Sequence, residues 1–151
     1  MHEFAVPDGL PDFIQDHVKR YLATDGADGH LWDSRPHGGN GVVRTLLLTA
    51  TGRRTGQSRT LPIGYSEFES AYVIVGSKGG APTHPAWFLN LQANPVVSVQ
   101  VEADRFEARA RIAVGDERAR RWHGIVEASP VMQTYQDGTD REIPVVLLER
   151  T

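Results

Sequence analysis

Residues 42–65 read VVRTLLLTATGRRTGQSRTLPIGY, which is two apolar runs joined by a short polar stretch. The first run spans Val42 to Leu48 and the second spans Thr60 to Tyr65. The stretch between them, called the basic turn (residues 52–59), holds two glycines and three arginines. Glycine permits the tight turn with positive φ that connects neighbouring antiparallel strands. The pattern therefore predicts a β-hairpin, with strands over Val42–Thr51 and Gln57–Phe68.

The arginines of the basic turn are Arg53, Arg54 and Arg59. Side chains placed at one turn can reach one anion together, and the forked guanidinium group suits phosphate and carboxylate. Hydroxyl donors stand beside them at Thr51, Thr55 and Ser58. The turn is therefore either an anion-binding clamp or an ordinary solvated basic turn, and this stretch alone does not separate the two.

A second polar stretch follows another apolar run, and residues 76–87 read GSKGGAPTHPAW. Its first part, called the glycine-rich loop (residues 76–84), supplies the cation Lys78 and the pair Gly79 and Gly80, and the aromatic Trp87 comes just after it. Backbone N–H groups of glycine-rich turns form small anion-binding nests. This second cation-bearing bend favours the anion-binding interpretation of the basic turn.

Composition limits the classes of protein that need to be considered. A chain of 151 residues with a net charge of −3 is expected to form one domain and not to bind nucleic acid by charge. The chain has no cysteine, which excludes disulfides, thiolate metal sites and a cysteine nucleophile. Neither a signal-peptide pattern nor a long apolar span is present, and we expect a cytoplasmic protein.

The first forty residues differ in character from the remainder. We predict an N-terminal arm, an amphipathic helix over Leu10–Leu22 capped by Asp8, and a loop within residues 1–40, and a barrel within residues 41–151, all in one structural domain. The helix is expected to pack on the barrel. A lid over a site and peripheral membrane contact are the alternatives.

Apolar patterning in residues 41–151 predicts about six antiparallel strands. Besides the hairpin, these are Ala71–Ser77, Val96–Val101, Arg105–Val114 and Ile143–Glu149, with helices over Pro85–Ala93 and Asp116–Ala128 and a short helical or loop segment over Ser129–Thr139. Pro62 places the second hairpin strand at an edge or a bulge. The predicted fold class is mainly β: an antiparallel barrel with helices packed outside. A doubly wound dinucleotide-binding fold is excluded, because strands and helices do not alternate.

Several kinds of catalytic site can be excluded from the sequence. No pair of histidines has the spacing of a metal site, so we predict no metal, and no nucleophile elbow is present. Anion-binding loops, aromatic residues and hydroxyl groups remain, without an evident acid, base or nucleophile. This set is typical of a protein that binds a redox cofactor and leaves the electron transfer to it.

Four segments carry a further signal: LLLTATGRRTG (46–56), VGSKGGAPTHPAWFLNL (75–91), ANP (93–95) and IPVVLLER (143–150). Together they resemble the deazaflavin-dependent nitroreductase family of actinobacteria, whose members use coenzyme F-420. The resemblance runs from about Val42 to the end of the chain. It implies a split β-barrel, similar to that of the flavin-nucleotide oxidases, with the deazaflavin in a groove.

The resemblance also implies residues for the cofactor site. The anionic part of the cofactor is expected on the basic turn, at Arg53, Arg54, Thr55, Gly56 and Arg59, and on Lys78, Gly79 and Gly80 of the glycine-rich loop. The groove for the ring is expected at Pro62, Ile63, Tyr65, Ser77, Ala86 and Trp87.

Members of the family place tyrosines over the reacting ring, in the segment before the last strand. Tyr135 matches this pattern, whereas Ser129 and Met132 stand where the nitroimidazole-activating member has tyrosines. The departure argues against nitroimidazole reduction. The acceptor is expected to contact Tyr65, Trp87, Met132 and Tyr135, and the expected catalytic residues are Tyr135 and Ser77.

The resemblance implies hydride transfer from reduced coenzyme F-420 to a hydrophobic, electron-poor acceptor such as a quinone or an activated enone. Two alternatives stay open: an FMN-dependent oxidoreductase with the same fold, and a non-catalytic deazaflavin carrier. An FMN monophosphate needs fewer cations than a phosphodiester with an acidic tail, so the arginines and Lys78 favour the deazaflavin. The chain is expected to be a monomer or a homodimer.

Overall fold

The computed structural model describes residues 10–37, 39 and 41–151. The predicted N-terminal arm and the capping role of Asp8 lie outside these residues. The first helix, α1, spans Asp12–Thr24, and Pro11 precedes its first turn. No helix among the described residues is long and apolar enough to cross a lipid bilayer.

Eight strands in the described part of the chain form one antiparallel system. They are β1 (Leu31–Asp33), β2 (Val42–Thr51), β3 (Ser58–Gly64), β4 (Ser66–Phe68), β5 (Ala71–Val75), β6 (Val96–Val101), β7 (Asp104–Ile112) and β8 (Val145–Arg150). Hydrogen bonding connects them in the order β1-β2-β6-β7-β8-β5-β4, and β3 pairs with β2. The helices after α1 are α2 (Ala86–Ala93), α3 (Gly115–Ala128) and α4 (Val131–Asp137).

The β2–β3 hairpin is the element that presents the basic turn. Its register runs from Thr45 opposite Gly64 to Thr51 opposite Ser58. At the tip, the Gly52 N–H donates to the Gln57 carbonyl at 2.8 Å, and Gly56 has φ of 72°, a left-handed conformation that favours glycine. The predicted hairpin is therefore confirmed.

Apolar residues occupy both faces of several strands because helices cover the outside of the barrel. On β8, Val146 and Leu148 belong to the cluster inside the barrel, while Val145 and Leu147 pack with Ile125 of α3. Period-two alternation thus separates an inner core from an outer one.

Helix α1 lies against the barrel through Tyr21, whose side chain is fully buried. The Tyr21 hydroxyl lies 3.1 Å from the Thr45 carbonyl, to which it can donate, and it accepts from the Glu102 N–H at 2.8 Å. Burial raises the pKa of Tyr21 to about 12. Val18 and Leu47 pack with it, so α1 covers the face of β2 that points away from the barrel interior.

The predicted mainly β fold, a split barrel with helices outside, is confirmed, with two corrections to its strands. The predicted strand Gln57–Phe68 is two strands, because β3 ends at Gly64 and β4 begins at Ser66. Strand β1 lies within the segment predicted as a loop, where it pairs with the start of β2. The edge position predicted from Pro62 is confirmed, since β3 pairs with β2 alone among the described strands.

Candidate cofactor cleft

A cleft of about 300 Å³ opens at the turn end of the β2–β3 hairpin. Its rim is polar and its floor is apolar. The basic turn and α2 supply Gly52, Arg53, Arg54, Thr55, Arg59 and Asn90 to the polar side, and the remaining lining residues are Leu10, Leu48, Ala50, Leu61, Ala86 and Trp87. The cleft thus joins a cationic edge to a surface that suits a planar, apolar ring.

Strand register explains why Arg59 shares the cleft with the apolar floor. Arg59 pairs with Ala50 and Leu61 pairs with Leu48, so these side chains lie on one face of the hairpin. Leu48 and Ala50 continue into the buried core, whereas Arg59 stands at the exposed end of β3. One face of the hairpin therefore carries buried apolar side chains and, a few residues further along, the exposed guanidinium group of Arg59.

Asn90 of α2 fastens the basic turn to the barrel. Its side-chain oxygen accepts from the Arg53 N–H at 3.1 Å and from Arg53 Nη1 at 2.9 Å, and Asn90 itself is buried. By contrast, no other residue of the described part holds the guanidinium groups of Arg54 and Arg59 by a hydrogen bond or an ion pair. These two exposed groups keep their donors available for an anion.

The glycine-rich loop has an unusual backbone. It contains a short 3-10 turn over Lys78–Gly80, in which φ is positive at all three residues: 45°, 63° and 82°. The Lys78 ammonium group donates to the Thr83 hydroxyl at 3.2 Å. A side chain at Gly80 would stand 2.8 Å from the Tyr135 carbonyl oxygen, so glycine allows the loop to touch α4 here.

Arg141, just before β8, holds this loop. Its guanidinium group donates to the carbonyl groups of Gly76 at 3.0 Å, Ser77 at 2.8 Å and Ala81 at 2.8 Å. Its Nη1 also lies 3.0 Å from Nδ1 of His84. Burial lowers the pKa of His84, and the charge of Arg141 lowers it further.

The structure brings six of the predicted cofactor residues into the cleft lining. They are Arg53, Arg54, Thr55, Arg59, Ala86 and Trp87. The other predicted site residues are not part of that lining: Gly56, Pro62, Ile63, Tyr65, Ser77, Lys78, Gly79, Gly80, Met132 and Tyr135. The glycine-rich loop is continuous with the cleft through Pro85 and Ala86, but Lys78 itself contributes no surface to it.

Tyr65 lies beyond the opposite end of the hairpin from the basic turn. Its backbone N–H donates to the Arg44 carbonyl, its ring is largely buried, and its hydroxyl lies 2.7 Å from His30 Nε2. Burial raises the pKa of Tyr65. Pro62 pairs with Leu47, which faces α1, while Ile63 packs against the inner core.

The predicted acceptor residues of the last segment lie on α4. Met132 is half-buried and packs against the outer core. Tyr135 is half-buried and touches Gly80 through its backbone. A role for these residues in binding or turnover stays a prediction.

Sequence reasoning missed Asn90, which holds the basic turn, and Arg141, which holds the glycine-rich loop. Asn90 was visible only as part of a longer motif, and its partner is 37 residues away. Arg141 stands 60 residues or more from the carbonyl groups that it contacts, and no local pattern marks it. Leu10, Leu48, Ala50, Gly52 and Leu61 were also not predicted as lining residues.

Comparison with known proteins settles the family. A sequence model of the F420H(2)-dependent quinone reductase family matches residues 13–150. The chain belongs to this family. The resemblance seen in the sequence is thereby confirmed, as are its implied cofactor class and its membership among oxidoreductases.

Individual relatives cover most of the chain. An F420H(2)-dependent quinone reductase of Mycobacterium tuberculosis is 39% identical over 137 residues, which are 89% of this chain and 87% of the relative. A solved F420-H2-dependent reductase, FDR-A, is 42% identical with a TM-score of 0.63, covering 70% of this chain and 93% of that one. A second solved structure, described as a domain-swapped dimer, is 38% identical with a TM-score of 0.66 and covers 91% and 98%.

Proposed function

We propose that the protein is an oxidoreductase that uses reduced coenzyme F-420 to reduce a quinone or an activated enone. The observation that carries this proposal is the cleft, in which two guanidinium groups without protein partners in the described residues border an apolar floor. The family to which the chain belongs supports both the cofactor and the quinone acceptor. FMN and a carrier role remain the alternatives.

The basic turn would hold the anionic part of the cofactor. Arg54 and Arg59 would bind phosphate and carboxylate groups directly, and Arg53 would contribute its charge while Asn90 fixes its position. Lys78 and the N–H groups of the glycine-rich loop would add a second anion contact. The residues present therefore fit a ligand with several negative charges better than a single monophosphate.

The floor of the cleft would orient the two reactants. When bound, reduced coenzyme F-420 supplies the hydride. Trp87, Ala86 and Leu61 would hold the planar ring and exclude water, so that the acceptor stacks beside it at a reactive distance. Tyr135 or Ser77 would donate a hydrogen bond to the acceptor oxygen on which negative charge develops. A quinone that gains this hydride and one proton, from Tyr135 or from water, becomes the hydroquinone.

Anaerobic mixing of the protein with reduced coenzyme F-420 and menadione tests the proposal. We expect the visible absorbance of the oxidised deazaflavin to rise only when protein, cofactor and quinone are all present. Tight binding without oxidation by any member of a quinone and enone panel would favour the carrier. Preferential binding of FMN in a competition titration would favour the flavin alternative.

The role of Tyr135 is tested by Tyr135→Phe, which removes only the hydroxyl group. We expect kcat to fall by about 100-fold, as for the loss of a hydrogen bond that stabilises developing charge. The dissociation constant of the cofactor should change little. An equal loss of affinity and turnover would contradict a role limited to the acceptor.

The proposal also covers the oligomeric state of the protein and its location in the cell. A monomer or homodimer in the cytoplasm, with peripheral membrane contact, would meet a hydrophobic quinone. The structure described as a domain-swapped dimer, at 38% identity, makes the homodimer the form to test first. Light scattering after size exclusion measures the mass, and vesicle flotation with and without a long-chain quinone measures the membrane contact.

A further inference from the structure

The side chain of Arg141 makes several polar contacts with the glycine-rich loop. Three backbone carbonyl groups and the Nδ1 atom of His84 surround its guanidinium group at 2.8–3.0 Å. The loop lies between β5 and α2, outside any strand ladder, so its carbonyl groups depend on partners of this kind.

The geometry of these contacts requires an arginine. The acceptors are reached by Nε, Nη1 and Nη2 at once, and only the planar guanidinium group carries donors in several fixed directions. A lysine at this position could reach some of the acceptors with its three donors, but not in the same forked arrangement.

The acceptors lie on both sides of the left-handed turn. Gly76 and Ser77 precede the Lys78–Gly80 turn, and Ala81 and His84 follow it. Holding both flanks fixes the ends of three consecutive residues with positive φ, a conformation that costs free energy for the non-glycine Lys78. Arg141 therefore contributes order to the segment that carries the predicted anion donors.

We propose that Arg141 is the positioning residue of the glycine-rich loop, holding Lys78 and the Gly79 and Gly80 backbone in an anion-binding arrangement before the cofactor arrives. Four of its five N–H donors are occupied by the loop itself, so it acts through the loop and not on the ligand. The inference rests on the proposed function, because the anion that the loop receives is the acidic part of coenzyme F-420.

His84 adds a requirement of its own. Its Nδ1 can accept from Arg141 only when that nitrogen carries no proton. Burial and the neighbouring charge lower the pKa of His84, which keeps the ring neutral near pH 7. The contact set is therefore complete at neutral pH.

Arg141→Ala tests the proposal, and Arg118→Ala is its matched control. Arg118 of α3 is also half-buried and donates to a backbone carbonyl just before β8, that of Ile143 at 2.7 Å, but it makes no contact with the glycine-rich loop. Hydrogen exchange in protein without cofactor and fluorescence titration with coenzyme F-420 are measured for both variants and for the wild type.

We expect Arg141→Ala to speed exchange within residues 76–84 and to weaken cofactor binding by about tenfold, the scale of losing hydrogen bonds from a charged donor. At saturating cofactor, kcat should fall less than the affinity does, since Arg141 acts through the loop and does not itself touch the reactants. Millimolar guanidinium should restore affinity to Arg141→Ala and not alter Arg118→Ala. If Arg141→Ala does not fold, Arg141→Lys takes its place and is expected to bind the cofactor more weakly than the wild type and to exchange faster within residues 76–84.

Unchanged exchange in residues 76–84, unchanged affinity, or equal effects in the Arg118→Ala control would overturn the positioning role. Failure of the proposed function looks different: the wild type itself would not bind coenzyme F-420. In that case exchange without ligand still decides whether Arg141 orders the loop, and the anion that the loop receives would be a different one.

Discussion

The basic turn and the glycine-rich loop both follow a strand of the barrel, and both combine glycine with cations, yet they are built differently. The basic turn is the tip of a hairpin whose register already determines where its side chains stand. One residue outside the hairpin, Asn90, fastens it. The glycine-rich loop has no such ladder and depends on Arg141, which contacts four of its residues.

This difference separates two ways of making an anion site. In the basic turn, side chains would bind the anion, and strand pairing fixes the backbone that carries them. In the glycine-rich loop, backbone N–H groups would bind the anion, and contacts from a distant part of the chain fix their conformation. Removing a cation should therefore weaken anion binding most at the basic turn, whereas distorting the backbone should weaken it most at the glycine-rich loop.

The largest effect is expected from Arg54→Ala. Loss of a charged donor to phosphate or carboxylate should raise the dissociation constant of coenzyme F-420 by about 10- to 100-fold. The loss should shrink as ionic strength rises, because salt screens exposed charges. Arg109→Ala removes another exposed arginine, from the outer face of β7, and serves as the control. Unchanged affinity of Arg54→Ala at low salt would remove the clamp from the proposed function.

The pair Gly80→Ala and Gly79→Ala isolates backbone contact in the glycine-rich loop. Both residues have positive φ, but a side chain at Gly79 meets open space, whereas one at Gly80 stands 2.8 Å from the Tyr135 carbonyl oxygen. We expect Gly79→Ala to cost about 1 kcal/mol of unfolding free energy, from the left-handed conformation alone. Gly80→Ala should cost about 2 kcal/mol more, because the loop and α4 must separate. Chemical denaturation measures both, and equal losses would contradict the close approach.

These two regions also show what the sequence could foretell. Alternation in Arg105–Val114 and the apolar runs around the basic turn predicted the antiparallel barrel, because strand periodicity is a local property. Strand β1 was missed since three residues are too few to show a period, and it forms by pairing with the start of β2. Strand β3 pairs with β2 and β4 pairs with β5, so the break between them is a change of partner that no local pattern marks.

The same reasoning applies to the site. Arg53, Arg54 and Arg59 were predicted because a turn gathers neighbours in the sequence, and Trp87 because it follows a glycine-rich stretch; all four line the cleft, while their role in binding stays a prediction. Asn90 and Arg141 act on residues 37 to 65 positions away, so their roles depend on how the barrel folds back on itself. Contacts of this kind have no signal in a single sequence.

Asn90→Leu should have a moderate effect, because it removes the hydrogen bonds from the basic turn to Asn90 and leaves the hairpin in place. The Arg53 N–H and guanidinium group lose a common acceptor. We expect a loss of about 1 kcal/mol of unfolding free energy and a roughly fivefold weaker cofactor complex. Asn90→Asp keeps an oxygen at the same position and should retain most of the affinity. An Asn90→Leu variant that binds as the wild type does would show that strand pairing alone positions the turn.

The smallest effect is expected from acid, acting on the contact between Arg141 and His84. Because the folded protein lowers the pKa of His84 below its ordinary value of 6.5, the unfolded chain binds the proton more readily. The contribution of the neutral ring to stability is therefore complete above about pH 7 and is lost as the pH falls below 6.5. The groups that face this imidazole are the Arg141 guanidinium and the Phe88 ring, so no carboxylate of the described residues offsets the new charge.

His84→Asn separates this titration from others in the molecule. The asparagine oxygen can accept from Arg141 in place of Nδ1, and it does not bind a proton in this range. His17 also has a pKa lowered by burial, so the wild type and His84→Asn should both lose thermal stability in acid. Only the wild type should in addition show lower protection factors in residues 76–84, after correction for the intrinsic exchange rate at each pH, and a few-fold weaker binding of coenzyme F-420 at pH 5.5 than at pH 7.5. Identical pH profiles for the two proteins would mean that Arg141 holds the loop through its three carbonyl contacts alone. The glycine-rich loop would then differ from the basic turn in being held only through its backbone groups.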